Sequence, residues 1–166
     1  MPRKARIPAL VLALALVGPG AQPNLGAEQK GTTMQASGPF DVKVAPAAQE
    51  KFPEGSSTGR FSLDKQYHGD LDAVAKGEML TAGTAVEGSA SYVAIERVEG
   101  TLAGRKGTFM LQHLGTMGHG GQKLDITVVP DSGTGELVGI AGKLDIQIAP
   151  GGKHSYVLEY SLPARP

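Results

Sequence analysis

The chain has 166 residues, 24 of them glycine, and it contains neither cysteine nor tryptophan. The absence of cysteine excludes a disulfide scaffold, a cysteine-ligated metal centre and a thiol enzyme. The 16 basic residues are balanced by 16 acidic residues, so the composition lacks the positive charge typical of proteins that bind nucleic acids. The length predicts a single domain.

Residues 1–27 have the pattern of a secretory signal peptide. Basic residues precede an apolar run, IPALVLALALV, over residues 7–17, and Gly18-Pro19-Gly20 follows it. This run is too short to span a bilayer, so we expect cleavage and export without stable membrane insertion. Residues 1–27 contain three basic residues and no acidic one, so the mature chain is slightly acidic, which argues further against nucleic-acid binding. The expected location is periplasmic or secreted.

The remaining chain predicts a short tether followed by strands. Residues 28–37 are polar and rich in turn-forming residues, which indicates a flexible tether before one domain over residues 38–166. Apolar and polar residues then alternate in eight short runs separated by turn residues. The predicted strands are centred on Phe40–Val44, Phe61–Tyr67, Leu71–Met79, Tyr92–Val98, Phe109–Met117, Leu124–Val128, Leu144–Ile148 and Tyr156–Leu162.

Eight half-buried strands with polar outer faces must close on themselves or stack, because open edges invite aggregation. The length of residues 38–166 suits an eight-stranded barrel, whose interior holds side chains or one small ligand. A two-sheet sandwich is the structural alternative. The many glycines favour the barrel, since sharply curved sheets need glycine at their bends. We therefore predict an all-β fold, an eight-stranded antiparallel β-barrel.

A candidate acid–base pair comes from pairing the fourth and fifth predicted strands. A two-residue turn at Gly104-Arg105 places Glu96 directly opposite His113 on the apolar face, which is the interior of a barrel. A buried carboxylate beside an imidazole is a plausible catalytic pair. A three-residue turn would instead send Glu96 outward. A buried pair with a purely structural role is the competing interpretation.

Other side chains on the predicted interior faces are candidates for ligand contacts, because they supply aromatic walls and polar groups. These are Tyr67, Tyr92, Tyr156, Tyr160 and His154. His113 and His119, with Glu96, are the best metal-ligand candidates, but the chain has only four histidines. Catalytic zinc sites usually take three protein ligands and structural sites four. We therefore expect no metal and no cofactor.

Several ordered motifs resemble a known family. They are FSLDKQYHGDL at 61–71, KGEML at 76–80, GSASYVAIERVEGTLAGRKGTFMLQH at 88–113, VVPDSGTGEL at 128–137 and KHSY at 153–156. Together they resemble a bacterial family of unknown function with the allene oxide cyclase-like barrel fold. The resemblance implies a calycin-like barrel with a central cavity, and a homo-oligomer, since related barrels are often oligomeric. Related cyclases hold a flexible apolar substrate, which is an analogy at the level of the fold.

Three functions follow as hypotheses. The preferred one is an exported barrel that binds a small apolar molecule in a tyrosine-edged cavity. The second is a cofactor-independent cyclase or isomerase, with Glu96 and His113 as acid–base groups and with Tyr92 and Tyr160 orienting the substrate. The third is a structural barrel filled by its own side chains.

Overall fold

The computed structural model describes residues 32–163, which form eight antiparallel strands and one 3-10 turn. The strands are β1 (Met34–Lys51), β2 (Ser57–Tyr67), β3 (Leu71–Gly83), β4 (Ala90–Leu102), β5 (Arg105–Gly118), β6 (Gly121–Val128), β7 (Ala141–Ile148) and β8 (His154–Ser161). Each strand pairs with its sequence neighbours, and β8 pairs with β1 to close a barrel. This confirms the predicted all-β barrel and excludes the sandwich.

The first strand begins earlier than predicted. Residues 34–37, assigned to the tether, pair with β8, with Met34 opposite Tyr160. The inward-facing Ala36 of this segment is buried, so burial holds the segment in the sheet. The predicted signal peptide, residues 1–27, lies outside the described residues. Between residues 32 and 163 the structure contains no helix with the length and apolar character needed to cross a membrane.

The turn between β4 and β5 lies one residue before the predicted position. Ala103 and Gly104 form it, with φ values of 47° and 80°. A tight hairpin turn of this kind favours glycine at its second position, so Gly104 fixes the turn there and the predicted Gly104-Arg105 turn is wrong. The pairing therefore shifts by two residues. Because side chains alternate with a period of two, Glu96 and His113 remain on the interior face.

The two ends of the barrel differ in how they are filled. At the lower end, where β1 begins, inward-facing side chains such as Leu102, Phe109 and Leu158 are buried. At the upper end, where β1 finishes, inward-facing apolar side chains are 36–66% exposed, and these are Val44, Met117, Leu124 and Ile148. The core therefore occupies the middle and the lower half of the barrel.

The lower end is covered by the segment between β6 and β7. This segment, residues 129–140, includes the 3-10 turn Gly135–Leu137. Its Leu137 and Ile140 are buried in the main hydrophobic core. The four upper connections contribute no residue to that core among the described residues. The segment thus acts as a plug at one end only.

The barrel wall is weakest between β6 and β7. In residues 32–163 these two strands are joined by the single ladder pair Thr127–Lys143. The neighbouring β7–β8 ladder, by contrast, runs over all eight residues of β7. We call this sparsely bonded junction the seam.

Candidate functional site

A group of polar side chains is buried at the middle of the barrel. Glu96 of β4 has an exposed fraction of 0%, and Lys65 of β2 and His113 of β5 are each 5% exposed. Oε1 of Glu96 accepts hydrogen bonds from Tyr67 Oη at 2.9 Å and from Lys65 Nζ at 3.0 Å. Nε2 of His113 lies 3.1 Å from the same oxygen. We call Lys65, Tyr67, Glu96 and His113 the charged cluster.

The predicted contact between Glu96 and His113 is present, but its geometry differs from the prediction. Glu96 lies opposite Leu111, and His113 lies opposite Ala94. The two side chains are therefore diagonal neighbours on the interior face, a spacing within the reach of long side chains.

Lys65 is the residue of the cluster that sequence reasoning missed. It lies between Leu63 and Tyr67 on the inward face of β2, and its Nζ lies 5.4 Å from the centroid of the Phe40 ring. A lysine on an interior face is costly unless it has a partner, and Glu96 supplies one through Oε2, 2.9 Å from Nζ. The period-two alternation was the signal that could have found Lys65, since its position matches that of Leu63 and Tyr67.

A glycine lies beside the glutamate on the strand between β2 and β4. Gly77 of β3 pairs with both Leu63 and Glu96. A Cβ at Gly77 would lie 2.2 Å from the carbonyl oxygen of Ile95 and 2.7 Å from Cα of Glu96, closer than real contacts allow. Glycine at this position therefore lets β3 approach the backbone of β4 closely beside Glu96.

The cluster keeps Glu96 ionised. Burial by itself raises the pKa of Glu96, but the hydrogen bond from His113 and the positive charge of Lys65 more than offset it and hold the pKa at about 2. Burial, together with the negative charge of Glu96, raises the pKa of Tyr67 well above its ordinary value. Tyr67 therefore remains a neutral donor.

One oxygen of Glu96 is less well satisfied than the other. Oε1 receives all three hydrogen-bond contacts of the carboxylate, whereas Oε2 is buried and has no aligned hydrogen-bond donor among the described residues. The short Lys65–Oε2 contact is thus an ion pair without a well-directed hydrogen bond. A carboxylate with a pKa of about 2 is a weak base. The cluster is therefore better arranged to hold charge than to move protons.

The other predicted ligand contacts separate into two groups. Tyr156 and Tyr160 are buried in the core, and Tyr156 Oη accepts a hydrogen bond from the backbone N–H of Leu71 and donates one to the carbonyl oxygen of His68. These bonds fix the lower turn between β2 and β3. The structure therefore places both tyrosines away from the open end, although each points inward as predicted.

Tyr92 and His154 lie nearer the upper end. Tyr92 is half-buried on β4, and its ring covers Gly115 of β5, where a Cβ would collide with it. His154 begins β8, and its ring centroid lies 5.1 Å from that of Phe40. The predicted residues thus do not all form one site. Tyr67 is in the cluster and the ring of Tyr156 packs edge-on against it at a centroid distance of 5.3 Å, whereas Tyr160 lies deeper in the core. Tyr92 and His154 lie towards the opening.

The charged cluster is enclosed by protein, since each of its four residues is at most 5% exposed. Between residues 32 and 163, no group of three or more histidine, aspartate or glutamate side chains is arranged to hold a metal ion.

Comparison with known proteins gives a family but no activity. The chain is similar to a crystal structure of a DUF3224 protein of unknown function from Shewanella oneidensis MR-1, with 45% sequence identity and a TM-score of 0.74, over 80% of this chain and 99% of that chain. No curated protein matches. Residues 36–160 match the family described as "Protein of unknown function (DUF3224)". A match over this much of the chain, on the same barrel, shows that the protein belongs to the DUF3224 family.

Proposed function

We propose that this protein is an exported barrel that binds a small apolar molecule at its open upper end. One observation carries the proposal. Inward-facing apolar side chains are exposed at the upper end of the barrel, whereas inward-facing side chains in the lower half are buried. Exposed apolar residues on an inward-curving surface are typical of ligand sites. Covering them stabilises a complex by about 25 cal/mol per Å² of apolar area.

The upper end offers mostly apolar contacts. Val44, Met117, Leu124 and Ile148 are its most exposed inward-facing residues, and Phe61 and Met79 are half-buried on the same face. Methionine side chains adapt to ligands of irregular shape. Tyr92 adds an aromatic surface with a polar hydroxyl. A flexible hydrocarbon chain or ring system with few polar groups fits this composition.

The charged cluster supports binding over catalysis. Its glutamate is already saturated at Oε1 and has a low pKa, so the cyclase or isomerase alternative lacks an effective base at Glu96. The cluster instead fixes β2, β4 and β5 to one another beneath the opening. A rigid floor lowers the entropic cost of ligand binding.

Export is the second part of the proposal. It is supported by the basic start and the apolar run of residues 7–17, and the absence of cysteine allows folding in either a reducing or an oxidising compartment. A comparison of the intact mass of the exported protein with the full-length mass tests cleavage. An exported protein that retained residues 1–27 would contradict the predicted cleavage.

Ligand binding is tested by native mass spectrometry of the protein from its exported fraction and by titration with two fluorescent probes, 1-anilinonaphthalene-8-sulfonate and an anthracene-labelled fatty acid. We expect Val44→Lys and Met117→Lys to weaken probe binding about tenfold or more, since a charge replaces apolar contact area. Val138→Lys is the matched control, because Val138 is an exposed valine on the plug segment. Absence of both a retained ligand and probe binding would overturn the proposal, as would equal affinity in all variants.

A further inference from the structure

The outer surface of the barrel has an apolar area on one side. Leu80 of β3, Val93 and Ile95 of β4 and Leu114 of β5 all point outward, and each is 49–53% exposed. We call these four residues the apolar wall. Contiguous exposed apolar surface on a soluble protein usually marks an interaction site. By contrast, three of the four outward positions of β7 are polar, and these are Lys143, Asp145 and Gln147.

The apolar wall has a regular arrangement across three strands. Leu80 pairs with Val93, and Val93 pairs with Leu114, so one row reads Leu–Val–Leu from β3 to β5. In the next row, Ile95 lies between Glu78 of β3 and Gln112 of β5. Both rows are therefore nearly symmetric about β4 in shape, since glutamate and glutamine differ only at the terminal group.

The wall also contains a recess. A groove of about 600 Å³ runs over these rows and is bordered by residues of β3, β4 and β5. Its outward-facing lining side chains are the apolar wall together with Glu78 and Gln112. The side chains of the apolar wall therefore border a depression in the outer surface.

We propose that the apolar wall binds a second copy of the chain about a twofold axis parallel to β4. This axis places β4 of one copy over β4 of the other, and β3 of each copy over β5 of the other. Each row therefore faces the same row of the partner with its residue order reversed. Leu80 then packs on Leu114, and Val93 packs on Val93 across the axis. Face-to-face packing of two sheets with nearly aligned strands is a common arrangement.

The polar residues that flank Ile95 favour a second copy of the chain over an unrelated protein as the partner. Glu78 lies 3.8 Å from Nη1 of Arg60 in its own chain, in an exposed ion pair that leaves other acceptor positions of the carboxylate open. The same axis brings this carboxylate to the side-chain amide of Gln112, whose N–H groups can donate to it. Two identical acids at these positions would repel. Arg97 of β4 lies one row below and therefore faces Arg97 of the other copy across the axis. Each of these guanidinium groups forms an ion pair with Glu99 of its own chain.

A single cysteine tests the axis, because the chain has none of its own. We expect a short bis-maleimide reagent to cross-link Val93→Cys into a dimer, seen on a denaturing gel, because sheets packed face to face lie about 10 Å apart and the axis places the two introduced thiols across that gap. Val138→Cys is the control, since Val138 is exposed and lies after the plug's 3-10 turn, and we expect it to remain monomeric on the gel. Equal linking of the two variants, or none in Val93→Cys, would overturn the proposed axis.

Sedimentation velocity tests the association itself. We expect the unmodified protein to sediment as a dimer, and we expect Val93→Lys to weaken dimerisation at least about tenfold because it places two like charges at the axis. Gln112→Glu should also weaken the dimer, and the exchanged variant Glu78→Gln/Gln112→Glu should restore it. A monomeric unmodified protein, or a dimer unaffected by Val93→Lys, would contradict the proposal. Circular dichroism establishes that each variant is folded.

Discussion

The lower and upper halves of the barrel are made from the same strands with the same alternation, yet only the lower half is filled. The lower end is closed by the plug segment, residues 129–140, whose Leu137 and Ile140 join the core. The upper turns are short and supply no comparable plug among the described residues. The difference shows that alternation decides which side chains face inward, whereas a connecting segment decides whether the inward face is removed from water.

The charged cluster lies at the boundary between these halves, and its loss should have the largest effect. We expect Glu96→Gln to destabilise the protein by about 3–5 kcal/mol, because Lys65 would remain buried without its partner charge. Urea denaturation followed by circular dichroism measures the change. Glu87→Gln, in the exposed turn between β3 and β4, is the control and should be nearly neutral.

A double variant distinguishes the effect of an uncompensated buried charge from the effect of altered side-chain shape. We expect Lys65→Met/Glu96→Gln to recover much of the lost stability, because no uncompensated charge then remains in the barrel. If the double variant were as unstable as the sum of both single changes, the ion pair would not be the source of the effect.

Removal of the plug side chain should have the next largest effect. We expect Leu137→Ala to cost about 3 kcal/mol, because it leaves a cavity in a packed core. Met117→Ala, at the open end, should change the stability by less than about 1 kcal/mol. Equal losses for the two variants, measured by urea denaturation, would show that the two ends are packed alike.

Acidification should have the smallest of these effects. The pKa of Glu96 is about 2 in the folded protein, against a model-compound value of 4.5. A lowered pKa adds stability above the unfolded value, and this contribution is lost as the pH falls towards the folded value. Between about pH 5 and about pH 3 we therefore expect a loss of about 2 kcal/mol from this group. Glu96→Gln should lose correspondingly less over the same range, and an unchanged pH profile in that variant would contradict the assignment.

The architecture was predictable because period-two alternation is a local property of each strand. The predicted turn between β4 and β5 was misplaced by one residue, which shifts the strand pairing by two residues. Because side chains alternate with a period of two, the predicted interior position of Glu96 and His113 is still correct. Lys65 was not predicted because lysine is rarely buried, although its position in the alternation matches that of Tyr67. The plug could not be predicted, because residues 129–140 carry no regular pattern that would indicate buried Leu137 and Ile140. The placement of Tyr156 at the lower turn depends on hydrogen bonds to residues 85 and 88 positions away.

The seam between β6 and β7 makes the barrel a cylinder with one weak line along its wall. With a single ladder pair to break, this junction separates at a lower free energy than the long β2–β3 or β3–β4 ladders. Separation would turn the cylinder into an open sheet with β6 and β7 as its two edges. Backbone amides facing the seam are then the first in the wall to exchange with solvent, and for that moment the chain presents unpaired strand edges to its surroundings.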